Sequence, residues 1–371
     1  MDAFEIFLVA PPGLEPLLAE EARAAGFEGV SVSPGGVMLQ GGWPEVWRAN
    51  IELRGASRVL ARIASFRALH LAQLDKRSRR VGWASVLRAD VPVKVEATCR
   101  ASRIYHAGAA AERVARAIRE ELGAPVAADA GLRVLVRIED DLCTISLDTS
   151  GEPLHRRGHK QALNPAPMRE TLAALFLRAC GYDGCEPVLD PMCGAGTFVI
   201  EAAEIAAGLM PGRSRAFAFE QLVTFDAAAW ERLKARPPGP APAARFFGWD
   251  RDAGAITMSR ANAERAGVAD FTRFERAPIS ALARPEGPPG LVIVNPPYGG
   301  RIGNRKLLFA LYATLGEVLR DRLKGWRVGV VSADAGLVRA TGLDFAPPGP
   351  VVPHGGLKVR LWQAGPLAAP H

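Results

Sequence analysis

Apolar and polar positions along the chain change period several times. "FEIFLVA" is an apolar run of strand length, and "GLEPLLAEEARAAGF" follows with Leu14, Leu17, Leu18 and Ala22 at helical spacing. "VSVS" and "GVMLQGG" read as short strands, with Ser33-Pro34-Gly35-Gly36 and Gly41-Gly42 as turns. Val46, Trp47, Ile51, Leu53, Ala56, Val59, Leu60 and Ile63 predict one long helix over 46–63. "VPVKVEATC" alternates like a half-buried strand, and "AAAERVARAIREEL" is an amphipathic helix that Gly123 ends. "RVLVRIEDDLCTISLDTS" predicts two strands joined by a tight acidic turn at Glu139-Asp140-Asp141. These first 150 or so residues read as a small α+β unit.

Residues 151–168 have little periodicity, carry several basic residues and read as a connector. After them the rhythm becomes regular. "PVLD", "RFFGWD", "LVIVN" and "WRVGVVSA" are strand-like, and each is separated from the next by a helical pattern. Strands alternating with helices predict an α/β domain, a parallel sheet covered on both faces. A proline-rich loop, residues 237–242, interrupts it between "TFVIEAAEIAAGLM" and "RFFGWD".

The chain has 371 residues, which predicts two or three domains. The first ten residues have no basic segment and only a short apolar stretch, so the expectation is a cytoplasmic protein without a secretory leader or membrane partner. Five scattered cysteines form no CxxC pair, so no metal site is expected. Net charge is +7, but between Arg48 and Arg119 sixteen basic residues face five acidic ones, an excess of eleven. Positive charge concentrated in this way suits a phosphate backbone. Within it, Arg54, Arg58 and Arg62 at spacings of four also fit a solvated helix face. "DKRSRR", with Lys76, Arg77, Arg79 and Arg80, shows no helical period and is the better RNA-binding segment.

The chemistry concentrates at two strand ends. "VLDPMCGAGT" places Asp190, Pro191, Met192, Cys193, Gly194, Ala195, Gly196 and Thr197 between a strand and a helix. A glycine turn there lets backbone approach a ligand closely and aims helix N–H groups at it. A phosphate loop would need GxxxxGK[ST], and a dinucleotide fingerprint would need glycine where Val199 stands. The remaining user is S-adenosylmethionine (SAM), with Asp190 beside its cationic methionine end. Asp250, with Asp252 second, ends the next strand and is placed to accept both ribose hydroxyls. The competing reading is a plain tight turn, with Asp250 capping the next helix. Cys193 lies in this turn rather than at a substrate base, so it reads as a small packing residue, not a nucleophile.

"LVIVNPPYGG" delivers Asn295, Pro296, Pro297 and Tyr298 to a strand end. The prolines fix the backbone and remove two N–H donors. The Asn295 side-chain oxygen and the Pro296 carbonyl are adjacent acceptors, which suits an NH₂ group, and Tyr298 offers a face for a planar ring. Holding both N–H groups aims the amine lone pair at a methyl donor, so positioning supplies much of the acceleration. The competing reading is a rigid proline turn with a packed tyrosine.

"DPMCGAGTFVIEAAEIA", "GWDRDAGAITMSRANAERAGV" and "NPPYGGRIG" resemble the bacterial THUMP-containing class I RNA methyltransferases, closest to the guanine-N2 half of the large-subunit ribosomal RNA enzyme. "LDTSGEPLHRRGHK" and "APMRETLAALFL" resemble that family's connector and first catalytic helix. The resemblance implies a ferredoxin-like subdomain (residues 1–65), a THUMP module (66–152), a basic connector (153–168) and a Rossmann-like methyltransferase domain (169–371). It implies N2-guanosine methylation of structured RNA, with ribosomal RNA favoured over transfer RNA and no obligate protein partner. Arg100, Arg103 and His106 become RNA contacts, and Pro167 and Thr171 close the methionine end of SAM. One departure concerns adenine: the family's acidic residue after the third strand is missing, with Pro278 near its place, so backbone groups are expected to serve. The alternatives are N6-adenine methylation of nucleic acid, glutamine methylation of a protein, or a non-catalytic RNA-binding protein.

Overall fold

A computed structural model describes residues 3–161, 168–298 and 305–368. In chain order the elements are β1 (Phe4–Val9), α1 (Glu15–Ala24), β2 (Glu28–Ser33), β3 (Gly36–Gly41), α2 (Trp43–Glu52), β4 (Arg58–Arg67), α3 (Leu71–Ser78), β5 (Val93–Arg100), α4 (Ala107–Leu122), β6 (Leu132–Glu139) and β7 (Leu142–Asp148). Then come α5 (Glu170–Ala179), β8 (Val188–Asp190), α6 (Thr197–Ala206), α7 (Ala227–Lys234), β9 (Phe246–Asp250), α8 (Ala253–Ala266), β10 (Thr272–Arg276), β11 (Leu291–Val294), α9 (Arg305–Arg322), β12 (Arg327–Ser332), α10 (Ala335–Ala340), β13 (Val352–His354) and β14 (Leu357–Ala364). The chain divides into two compact units, residues 1–10, 18–154 and 215–236 in one, and 11–17, 155–214 and 237–371 in the other.

The first unit is one seven-stranded sheet in the order β2-β3-β1-β4-β7-β6-β5. Only β5 and β6 run parallel, and α4 is the crossover between them. Ala110, Val114, Ala117 and Ile118 form the buried stripe of α4, and Gly123 ends it with a left-handed φ of 79°. The acidic turn forms as expected between β6 and β7, with Asp140 and Asp141 both at positive φ.

The predicted long helix stops at Glu52, and residues 58–67 are β4, paired to β1 and β7. A spacing of four is even, so on a strand it also marks one face. The run from Val59 to Ile63 therefore satisfied both periods. Arg58 and Arg62 thus lie on a strand and not on a solvated helix. Arg58 meets the buried carboxylate of Asp148 at 2.5 Å, and Arg62 meets Glu5 at 3.1 Å.

In the second unit the strand order is β10-β9-β8-β11-β12-β14-β13. The first five are parallel; β14 runs antiparallel to β12, and β13 to β14. β8 and β11 are wholly buried, as their unbroken apolar sequences require. The long interval between the glycine turn and β9 holds more than the proline-rich loop. Residues 215–236 group with the first unit, where Phe217, Phe219 and Trp230 pack ring on ring at 5.0–5.7 Å and Trp47 meets Phe219 at 6.2 Å. The proline-rich loop is only the return from that excursion.

Candidate functional site

From β8 the chain winds outward through β9 and β10, then returns to β11 and β12 on the other side. β8 and β11 are neighbours, so the crevice of this open sheet lies at their carboxyl ends. Asp190 ends β8, Asp250 ends β9 and Asn295 follows β11, which brings the two sequence motifs to one edge.

The glycine turn is held from several directions. Gly194 and Gly196 have φ of 53° and 82°, which side-chain-bearing residues rarely adopt. The Gly194 N–H donates to Asp250 Oδ2 at 3.0 Å, and the Cys193 N–H donates to the Trp249 carbonyl at 2.8 Å. Ser259 Oγ donates to the Gly194 carbonyl at 2.8 Å, and Asn262 Nδ2 to the Ala195 carbonyl at 3.1 Å. Asp252, not Asp250, caps α8, accepting from the Gly254 N–H at 2.7 Å. Thr197 opens α6 and is nearly buried.

Sequence reasoning missed Ser259 and Asn262. The signal was two polar residues three apart on the otherwise apolar face of α8, where both are fully buried.

Asp190 is 3% exposed and accepts the Met192 N–H at 3.0 Å. Burial pushes its carboxyl up to about 8, opposed by the Met192 bond and assisted by the neighbouring Asp250 charge. Burial likewise holds the Cys193 thiol well above its ordinary value, the reverse of what a nucleophile needs. Pro191 is buried, while Met192 packs on the main core of this unit.

On the acceptor side, Asn295 Oδ1 is buried and finds no donor among the described residues. An unsatisfied buried acceptor is costly in a folded protein unless something else supplies the donor. Pro296 is buried and Pro297 half-buried. Tyr298 is half-buried against the core, and burial pushes its phenol up to about 12. Tyr312 lies beneath, fully buried, with its hydroxyl 3.3 Å from Ser332 Oγ at the end of β12. Beyond β10, the Ala277 N–H is committed to the Asp250 carbonyl at 3.0 Å, and Pro278 begins a short 3₁₀ turn.

The connector contributes a residue that was not anticipated. Lys160 Nζ donates to the Met168 carbonyl at 2.7 Å and Thr197 Oγ1 at 3.0 Å, and lies 3.4 Å from buried Glu170. Burial pushes the Lys160 ammonium down and the Glu170 carboxyl up, each opposed by the other's charge. Thr171 is buried on α5 beside Glu170. Pro167 lies outside the described residues.

The predicted RNA-binding residues sit on the first unit. The segment Lys76–Arg80, read as aperiodic, begins within α3. Arg79 is engaged structurally, meeting Asp75 and Glu121 at 3.1 Å each and also pairing with Glu120. Lys76 and Arg80 are exposed, Arg77 is half-buried, and none of the three has an ion pair among the described residues. Arg100 and Arg103 are largely exposed, 3.5 Å from Glu139 and 4.0 Å from Asp141. His106 is exposed, but its Nδ1 caps α4 by accepting the Ala109 N–H at 3.0 Å.

Residues 157–344 match the family model described as RMKL-like, methyltransferase domain, and residues 5–60 match the RlmL ferredoxin-like domain. A protein of Syntrophotalea carbinolica named ribosomal RNA large subunit methyltransferase K/L is 38% identical over 92% of this chain and 51% of its own. The chain spans about half the length of the curated relatives it matches. Among solved structures, SMU.472, named as a putative methyltransferase complexed with SAH, superposes with a TM-score of 0.87 at 25% identity over 100% of this chain and 99% of its own. A Listeria monocytogenes protein named as a predicted N6-adenine-specific DNA methylase gives 0.88 at 27%, over 99% and 97%.

Proposed function

This chain belongs to the RMKL-like methyltransferase family, and we propose that it transfers a methyl group from SAM to the exocyclic N2 amine of a guanosine in structured RNA, large-subunit ribosomal RNA being favoured. The observation that carries the proposal is the buried Asn295 oxygen with no donor among the described residues, in an Asn-Pro-Pro-Tyr turn next to a glycine turn across the switch point. Support for the substrate comes from the name of the Syntrophotalea relative and from the basic first unit.

The residues present fit SAM. Gly194 and Gly196 supply the left-handed backbone of the turn, Asp250 ends the strand where ribose hydroxyls are held, and Asp190 is a buried carboxyl suited to a cation. Pro191, Met192, Cys193, Ala195 and Thr197 complete the turn, Asp252 supports it by capping α8, and Thr171 with Pro167 is assigned to the methionine end. Bound there, SAM supplies an electrophilic methyl on sulfur.

Asn295 Oδ1 and the Pro296 carbonyl accept the two N–H bonds of the target amine. This turns its lone pair out of the ring and meets the positive charge that develops on nitrogen. Tyr298 stacks on the base, which must leave its helix to reach the turn. Lys76, Arg77, Arg80, Arg100 and Arg103 hold phosphates, positioning without sequence readout. Arg79 and His106, also expected to contact RNA, are assigned to structure. We assign residues 1–65, 66–152, 153–168 and 169–371 as ferredoxin-like, THUMP, connector and catalytic segments, residues 215–236 of the last being an excursion that groups with the first unit, with action in the cytoplasm where ribosomes are made.

A second reading, N6-adenine methylation, is favoured by the name of the Listeria structure, because the same turn would clasp either amine. The test is to incubate the purified chain with SAM and unmodified large-subunit ribosomal RNA, then digest to nucleosides for mass spectrometry. N2-methylguanosine is expected. N6-methyladenosine would transfer the assignment to the second reading, and intact SAM binding with no methylated nucleoside would remove large-subunit ribosomal RNA as the substrate.

A further inference from the structure

We propose that this chain does not read the 6-amino group of SAM, because Pro278 stands where a side-chain acceptor for that group would be placed. The inference rests on the SAM site assigned above. SAM is a linear chain of methionine, ribose and adenine. Asp190 and Asp250 end β8 and β9, neighbouring parallel strands, and are assigned to the first two parts. The third part then falls at the end of the next strand outward, β10, whose last residue, Arg276, stands opposite Asp250 in register.

The chain that leaves β10 is a fixed edge. The Ala277 N–H donates to the Asp250 carbonyl at 3.0 Å. The Pro278 and Ile279 carbonyls accept the Ala281 and Leu282 N–H groups at 2.9 and 3.1 Å, which closes the 3₁₀ turn Ile279–Ala281. Ile279 packs on the core of this unit and Leu282 is fully buried, so the turn is anchored at both ends. The first N–H groups of such a turn, here those of Ile279 and Ser280, have no partner inside it. They are donors suited to N1 of adenine, a ring acceptor.

The amino group beside N1 needs an acceptor instead. Pro278 offers an apolar ring, and its carbonyl already accepts from Ala281. The carboxylates nearby are engaged. Asp250 accepts the Gly194 and Asp252 N–H groups at 3.0 and 2.9 Å, Asp252 caps α8, and Glu275 meets Arg273 at 2.5 Å. From residue 277 to residue 290 the one acidic residue is Glu286, exposed and beyond the turn. Pro278 and Ser280 are both exposed. An amino group at this rim keeps its hydrogen bonds to water, so its net contribution to binding is small.

The experiment is calorimetric titration of the full chain with SAM and two analogues. One carries hydrogen in place of the 6-amino group and keeps N1 as an acceptor. The other carries a 6-oxo group, which puts hydrogen on N1. The first should bind within about threefold of SAM, and the second at least about tenfold more weakly, because two donors then face each other. Pro278→Asp should supply the acceptor and make SAM bind about tenfold or more tightly than the 6-hydrogen analogue, and Pro278→Asn should do so to a smaller degree. A parent chain that preferred SAM over that analogue by about tenfold would overturn the inference and leave the SAM site standing. Pro278→Asp and Pro278→Asn chains that melt like the parent and show its ratio would remove position 278 from the adenine edge, and overturn it likewise. A 6-oxo analogue as tight as SAM would dismiss recognition by the backbone N–H groups. A parent that bound none of the three ligands would overturn the SAM assignment itself, and this inference with it.

Discussion

Replacing Asn295 by alanine removes the side-chain acceptor of the turn while leaving its prolines in place. If that oxygen meets charge developing on the amine, turnover should fall about a hundredfold or more, with SAM affinity unchanged by calorimetric titration. A variant as fast as the parent would dismiss the assigned mechanism. Asp190 gives a second prediction at this scale, because its folded-state carboxyl stands near 8 through burial. A raised carboxyl binds its proton more tightly folded than unfolded. Its contribution to the stability of the unliganded chain is therefore fully present below the ordinary carboxylate value and is lost as pH rises toward 8. Thermal melts across that window should show the decline, and Asp190→Asn should flatten it. A cationic ligand favours the ionised form, so SAM binding below pH 8 should release protons. Titration in buffers of different ionisation enthalpy would detect this, and proton-neutral binding would separate Asp190 from the ligand.

Among elements, α8 and β9 decide whether the glycine turn keeps its shape. A Cβ on Gly248 would lie 2.6 Å from a ring carbon of Phe274 and 3.1 Å from Cys193 Sγ, and neither neighbour is a mobile tip. Gly248→Ala should therefore cost about 1–3 kcal/mol, read from the denaturant midpoint. It should also weaken SAM binding, since Cys193 begins the turn. Asn262→Ala leaves the Ala195 carbonyl without that donor and should cost about 1–3 kcal/mol. The two motifs were legible at this scale because each ends a buried apolar strand at polar residues, and strand order brought those ends together. What supports them was far less legible. Ser259 and Asn262 sit at spacings any helix allows, and Lys160 reaches Thr197 from a connector with no period of its own. The helix wrongly extended over β4 failed for a related reason: neighbouring strands β1 and β7 chose between two periods that the residues satisfied equally.

Over the whole molecule, the basic excess of the 48–119 stretch is not one surface. Arg58 neutralises Asp148 inside the first unit, and Arg79 ties α3 to α4 through Asp75, Glu120 and Glu121, so counting charges along the sequence overstated what faces a ligand. Lys76 and Arg80, exposed with no ion pair among the described residues, remain for phosphate. This division predicts opposite behaviour for neighbouring residues. The double change Lys76→Ala and Arg80→Ala should weaken RNA binding and reduce the slope of log affinity against log salt by roughly one to two, with the melting temperature unchanged. Arg79→Ala should lower the melting temperature and leave that slope intact, because its charge is already spent on three carboxylates. If Arg79→Ala reduced the slope as much as the double change, the helix pair would be a binding face, and the structural role of Arg79 would have to be given up.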